Sequence, residues 1–122
     1  DDEILTAVSF NAPSGGYAYE KQKRKIGDYA TAAAGVLISL KAGKCSAASV
    51  ALTNLSDTPV YCEEAVNTLV GSTLDEAVIK AAVKAAVDAS DPVADTRGPV
   101  EFKKHVAGII VKKAITSAIA RA

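Results

Sequence analysis

Hydrophobic positions recur with a period of two in the first half of the chain and with a period near 3.6 in the second half. Ile4, Thr6, Val8 and Phe10 alternate with more polar neighbours and predict a half-buried strand. Asn11 to Gly16 (NAPSGG) carries one proline and two glycines, which predicts a flexible loop. Tyr17 to Asp28 is polar and is expected to be irregular or to form a short helical turn. Thr31 to Leu40 reads as a strand with Ala32, Ala34, Val36, Ile38 and Leu40 on one face. Lys41-Ala42-Gly43-Lys44 is a hairpin signal, because Gly43 can take positive φ without steric cost. The return strand places Ala48, Val50 and Leu52 on one face, so a long antiparallel hairpin is expected.

After Pro59 the period changes. Glu63 to Val70 predicts a short helix closed by Gly71 as a left-handed C-cap. Thr73-Leu74-Asp75-Glu76 fits a capping box with Thr73 as N-cap and Glu76 at N3. The helix it opens is expected to reach Ala89, with Leu74, Val78, Ala81 and Ala85 inward. Glu76, Lys80, Lys84 and Asp88 recur every four residues on a separate, solvated face. Asp91 to Gly98 (DPVADTRG) is a connector, and Pro99 suits the first turn of a third helix with Thr96 or Gly98 as cap. That helix runs to about Arg121 and carries Val106, Ile109, Ile110, Ala114, Ile115 and Ala118. Strands first and helices last predict an α+β domain: a small antiparallel sheet of three to four strands packed against about three helices.

Composition sharpens this reading. A chain of 122 residues suits a single domain, which buries roughly two-thirds of the surface its unfolded form exposes. Aromatics make up only 5% and Trp is absent, so the core is expected to consist of Ala, Val, Ile and Leu. Fourteen basic residues balance fourteen acidic ones, and no global field favours nucleic acid or an anionic membrane. The chain has no Met and begins Asp1-Asp2, so it is expected to be a piece of a longer polypeptide. No apolar run approaches the roughly 20 residues of a membrane span, and no signal-peptide pattern is present; a cytoplasmic location is expected. Cys45 and Cys62 lie far apart without a CxxC or a nearby histidine, so reduced packing thiols are expected rather than a metal site, with a disulfide as the alternative that the expected compartment disfavours.

Candidate chemistry gathers near the amino end. Tyr17 and Tyr19 follow the glycine loop and are open to two readings, core packing or presentation of a ring to a planar ligand, where offset stacking adds about 1 kcal/mol. Lys21-Gln22-Lys23-Arg24-Lys25 is a solvated edge or subunit contact, a neighbour of a phosphate-bearing cofactor, or a nucleic-acid contact; charge balance disfavours the last. Asp28 is most simply the ion-pair partner of Arg24 or Lys25. Gly15 and Gly16 form neither a GxGxxG nor a Walker pattern. His105 sits on a helix among lysines with no nucleophile arranged beside it, so no catalytic residue is assigned.

Four stretches resemble one family. They are GGYAYEKQKRKIGDYATAAAGV, KCSAASVALTNLSDTPVYCEEA, LVGSTLDEAVIKAA and DPVADTRGPVEFKKHVAGIIVKKAI, the last with an Asp-Pro…Asp-x-Arg-Gly signature at Asp95 and Arg97. Together they resemble the C-terminal domain of the FAD-binding medium subunit of carbon monoxide dehydrogenase and related molybdenum hydroxylases. The resemblance implies the same α+β fold over residues 1–122 and an oxidoreductase complex in which this domain is not itself catalytic. It implies a large partner subunit with the molybdenum cofactor and a small one with [2Fe–2S] clusters. FAD would be held mainly by domains outside this chain, with this domain covering the isoalloxazine and helping to build the subunit interface. It also implies Tyr19 as the ring facing the flavin and Lys21 as a cation nearby, with Tyr17 competing for the first role. Arg24 and Asp28 would shape the loop, and Asp95 with Arg97 would form a hydrogen-bonded helix entry. Medium subunits of aldehyde, purine or N-heterocycle dehydrogenases are alternatives, and a non-enzymatic interaction module is a rival of another class.

Overall fold

The computed structural model describes residues 2–10 and 12–122. Strands β1 (Gly16–Gln22), β2 (Ala32–Lys41), β3 (Lys44–Thr53) and β4 (Val60–Tyr61) form one antiparallel sheet in the order β1-β2-β3-β4. Helices α1 (Glu63–Leu69), α2 (Glu76–Asp88) and α3 (Val100–Ile119) follow. Helix α3 packs on β1 and β2, α1 packs on β3, and α2 lies against both other helices. The α+β class predicted from element order is the class found.

The β2–β3 hairpin forms as its pattern predicts. Ala42 (φ 51°) and Gly43 (φ 75°) both take left-handed conformations, the geometry a two-residue primed turn requires. Ala32, Ala34, Val36 and Ile38 on β2, with Val50 and Leu52 on β3, face the helices and are buried. Leu40 departs from expectation: the register shifts between Ser39 and Leu40, alternation breaks, and Leu40 is 42% exposed.

Two strand expectations are corrected. Ile4 to Phe10 forms no strand, and Ile4 and Phe10 are 87% and 85% exposed, because alternation alone cannot hold a strand that has no neighbour to pair with. The loop expected over residues 11–16 begins at Asn11, which lies outside the described residues, and ends as β1 starts at Gly16. The stretch expected to be irregular contains β1, which pairs with β2 from Gly16↔Ile38 to Gln22↔Ala32. Its inward positions are Gly16, Ala18 and Glu20, and its outward positions are Tyr17, Tyr19 and Lys21, so the usual apolar-in signal is inverted. A Cβ at Gly16 would lie 1.9 Å from the carbonyl oxygen of Ala118, so only glycine lets β1 pass the end of α3 this closely.

Helix boundaries follow local capping chemistry. Helix α1 ends at Leu69, with Val70 already extended, and Gly71 (φ 82°) turns the chain. Gly71 then donates to the Cys45 carbonyl (2.8 Å) and Cys45 donates to that of Ser72 (2.9 Å), which ties this helix end to the start of β3. Asp75, not Thr73, caps α2: its carboxylate accepts from the Val78 amide at 3.0 Å. Of the stripe expected on α2, Leu74 is buried and Val78 and Ala85 are half-buried against the core, but Ala81 is exposed; the fully buried positions of the helix are Ala82 and Ala86, with Ile79 and Val83 beside them. Pro99 occupies the N-cap of α3 without a side-chain cap bond; Val106, Ile110, Val111, Ala114, Ile115 and Ala118 face inward, whereas Ile109 is 56% exposed. Cys45 and Cys62 are free and buried, and burial pushes both thiols up, so they stay protonated.

Ile115 is fully buried and Ile109 is not, which a stability comparison resolves directly. Ile115→Ala is expected to lower the unfolding free energy by about 2–5 kcal/mol, and Ile109→Ala by less than about 1 kcal/mol, in urea titrations. Equal losses would contradict the packing described.

Candidate functional site

The helices cover one face of the sheet and leave the other bare. On that bare face the cross-strand rows are Tyr17–Leu37–Ser49 and Tyr19–Gly35–Ala51. Large side chains on β1 beside small ones on β2 and β3 create an open trough of about 400 Å³ walled by Pro13, Tyr17, Tyr19 and Leu37 and floored by Gly35, Ser49 and Ala51. The Tyr19 ring leans over Gly35, coming within 3.6 Å of where a Cβ would be. Both rings are 62% exposed, which rules out the core-packing reading for either. They differ in their partners. The Arg121 guanidinium sits 5.9 Å from the Tyr17 ring and donates to the Tyr17 carbonyl at 2.7 Å, so the end of α3 engages Tyr17. Among the described residues no cation stacks on Tyr19.

A second hollow of about 420 Å³ adjoins the first and is polar, lined by Tyr19, Lys21, Gly27, Asp28, Tyr29, Ala30, Thr53 and Asn54. Tyr19 is the wall the two hollows share. Residues 23–31 form the loop between β1 and β2, closed at its base where the Thr31 amide donates to the Gln22 carbonyl at 2.7 Å. The Asn54 side-chain amide donates to the Ala30 carbonyl, and the Lys21 ammonium donates to the Asp28 carbonyl at 3.4 Å.

Asp28 is the electrostatic centre of that loop. Its carboxylate accepts from Arg24 Nε (2.9 Å), from the Tyr29 amide (2.9 Å) and from Arg97 Nη2 (3.4 Å). The Arg24 hydrogen bond, followed by the Tyr29 amide and both guanidinium charges, holds its carboxyl below the ordinary value of 3.8. Asp95 plays the matching part at the entry to α3: Lys103 Nζ lies 2.9 Å away and the Arg97 amide donates at 2.8 Å, which also holds this carboxyl below 3.8. Lys103 is buried and donates to the Val93 carbonyl at 2.7 Å as well, so its ammonium is paired.

The structure thus places Tyr17, Tyr19 and Lys21 on one strand face, and Arg24 and Asp28 together in the adjoining loop. Sequence reasoning missed Tyr29 as a wall of the second hollow, the Arg97–Asp28 contact across 69 positions, and Lys103. A lone lysine in the inward stripe Lys103, Val106, Ala107, Ile110 was the available signal for the last. Among the described residues, no group of three or more His, Cys, Asp or Glu side chains is arranged to hold a metal ion, and no helix is long and apolar enough to cross a membrane.

The family model described as CO dehydrogenase flavoprotein C-terminal domain matches residues 17–118, and the chain belongs to that family. The carbon monoxide dehydrogenase medium chain of Afipia carboxidovorans is 48% identical over 122 residues, covering 98% of this chain and 42% of that relative. Its counterpart from Hydrogenophaga pseudoflava is 37% identical, covering 99% and 43%. The 6-hydroxypseudooxynicotine dehydrogenase complex subunit alpha of Paenarthrobacter nicotinovorans is 34% identical, covering 98% and 42%. The chain therefore spans less than half the length of these relatives. Among solved structures, reconstituted CO dehydrogenase from Oligotropha carboxidovorans matches with a TM-score of 0.85 at 50% identity, over 88% of this chain and 37% of that one. Quinoline 2-oxidoreductase from Pseudomonas putida 86 matches at 0.83 and 27%, over 88% and 38%.

The depressed carboxyls give a pH signature. Because each folded pKa lies below the unfolded one, their stabilisation is fully present above about pH 4 and is lost as pH falls through the folded values. Asp28→Asn and Asp95→Asn are each expected to be less stable than wild type at pH 6, with the gap shrinking below pH 4 in chemical denaturation. A gap independent of pH would show that charge is not the source.

Proposed function

We propose that this chain serves as the C-terminal domain of the FAD-containing medium subunit of a molybdenum hydroxylase, of the carbon monoxide dehydrogenase type, and that its bare sheet face covers the flavin. The observation that carries this reading is the trough beneath Tyr19: a flat, apolar, glycine-floored recess beside an exposed ring that no cation occupies. Such a surface fits one face of an isoalloxazine and does not fit a whole dinucleotide. The chain offers no phosphate loop, and its cations at Lys21 and Arg24 are engaged by the Asp28 carbonyl and carboxylate. FAD would accordingly be held by the remaining portion of the subunit, with this domain as a cover.

A bound flavin supplies the chemistry, taking electrons from a reduced donor and passing them to an external acceptor. The residues here orient and shield. Tyr19 presents a ring for offset stacking and Gly35 keeps the floor low. Tyr17, fixed by Arg121, closes one end of the trough, while Lys21 places a positive charge where the recess turns polar. Arg24 and Asp28 set the loop that lines that polar end. The partners in this reading are a large subunit carrying the molybdenum cofactor and a small subunit carrying [2Fe–2S] clusters, from which electrons reach FAD. The 48% identity to a carbon monoxide dehydrogenase chain favours that substrate over the one named for the 34% identical 6-hydroxypseudooxynicotine dehydrogenase relative.

In the intact medium subunit, Tyr19→Ala is expected to perturb the flavin absorption spectrum and to weaken flavin retention about fivefold, the equivalent of ~1 kcal/mol of lost stacking. Tyr17→Ala is expected to have a smaller effect. A spectrum unchanged in Tyr19→Ala removes that ring from the site. The chain by itself is expected to elute from gel filtration without FAD; stoichiometric flavin in that fraction would contradict the division of labour.

A further inference from the structure

We propose that Arg97 is a positioning residue, a latch that fixes the β1–β2 loop from the far side of the sequence by holding Asp28. Its bearing on flavin rests on the reading given above; its bearing on the loop does not. The loop has little else to hold its outer part. Ile26 is 92% exposed, Gly27 takes φ 82°, and residues 23–27 are all exposed. The Arg24–Asp28 pair is internal to the loop and cannot tie it to anything. Among the described residues, Arg97 is the one side chain from outside that reaches the Asp28 carboxylate, at 3.4 Å.

Arg97 is itself well anchored. The backbones of Asp95 and Gly98 exchange hydrogen bonds of 3.2 and 3.0 Å in a tight turn. The Asp95 carboxylate accepts from the Arg97 amide and is gripped by buried Lys103 of α3. The guanidinium is only 18% exposed and lies 5.7 Å from the Tyr29 ring. One group therefore holds two consecutive loop residues: Asp28 by charge and Tyr29 by ring contact. Both line the polar hollow that shares Tyr19 with the trough. Among the described residues the buried Nε of Arg97 has no hydrogen-bond partner, an energetic cost consistent with a side chain placed for reach rather than for its own satisfaction.

The loop carries Lys23, Arg24 and Lys25, so trypsin reads its opening directly. In the full-length subunit, Arg97→Ala and, separately, Asp28→Asn are expected to be nicked between residues 23 and 26 about tenfold faster than wild type. That factor corresponds to loss of one charge-assisted hydrogen bond. Arg97→Lys is expected to fall between, and the double variant to be cut no faster than Asp28→Asn, because that change already removes the Arg97 contact together with the Arg24 pair. Lys84→Ala, which breaks an exposed pair on α2, serves as the control and is expected to match wild type. Nicking rates unchanged in Arg97→Ala and Asp28→Asn, or additive in the double variant, would overturn the latch whatever the flavin does. Faster nicking with an unperturbed flavin spectrum in both Arg97→Ala and Tyr19→Ala would sustain the latch and overturn the flavin reading instead.

Discussion

The close approach of α3 to the sheet is the constraint from which the remaining features follow. The contact is built from Gly16, Ala18, Ala32 and Ala34 on the strands and Ala107, Ala114 and Ala118 on the helix, all buried. Side chains this small bring backbones together and leave no volume for a ring. Larger aliphatics fill the rest of the core, where Ile38, Val50, Leu52, Leu55 and Leu69 are fully buried. The six aromatic residues are all exposed as a result. On β1 the period of two converts this exclusion into an aromatic outer face: if Gly16 and Ala18 must face the helix, Tyr17 and Tyr19 must face away.

The opposite face gains its shape from the same strand order. Gly35 and Ala51 stand in register with Tyr19, so the ring overhangs a floor rather than packing on a neighbour. The loop that follows β1 then extends this face with charge. Its carboxylate at Asp28 is one node of a chain of ion pairs running from Arg24 through Asp28, Arg97 and Asp95 to Lys103. Exposed pairs contribute little, yet only the Arg24 end of this chain is open to solvent, at 55%, while Asp28 at 9%, Arg97 at 18% and Lys103 at 3% are poorly exposed. The network's role is geometric: it connects the entry of α3 to a loop that hydrophobic packing does not reach.

Elements with strong periodicity were legible in the sequence and those with inverted or incomplete patterns were not. The β2–β3 hairpin combined a clean apolar face with a glycine turn, and α3 carried a long aliphatic stripe, so both were found with small boundary errors. Strand β1 escaped because its inward residues are small or charged and its outward residues aromatic, the reverse of the usual signal. Residues 4–10 show the converse error, a correct alternation with no neighbouring strand among the described residues. On α2, Ala81 was placed inward in place of Ala82 and Ala86 because alanines occupy both its buried and its solvated faces, which leaves composition unable to choose between them. Tyr17, Tyr19 and Lys21 were legible as a cluster, but only the strand explains why they share a face. The Arg97–Asp28 contact was illegible in principle, since it spans 69 positions and is set by where α3 begins.

Under the proposed reading a surface of this kind is half of a site, and magnitudes say why. Stacking one ring on a flavin contributes about 0.5–1.5 kcal/mol beyond burial, whereas association costs at least about 4 kcal/mol in lost translation and rotation. An open trough with a single overhanging ring therefore cannot retain a cofactor unaided. It can shift the properties of one already held, because placing a ring and a lysine beside a bound flavin requires no further association step. Under the proposed reading this is the advantage of separating the two tasks: the portion of the subunit that holds FAD sets its affinity, and this domain, docked over it as a preformed rigid face, adjusts its surroundings. The sheet supplies the rigidity for Tyr19, and the ion pairs supply it for the loop, where no core exists to do so.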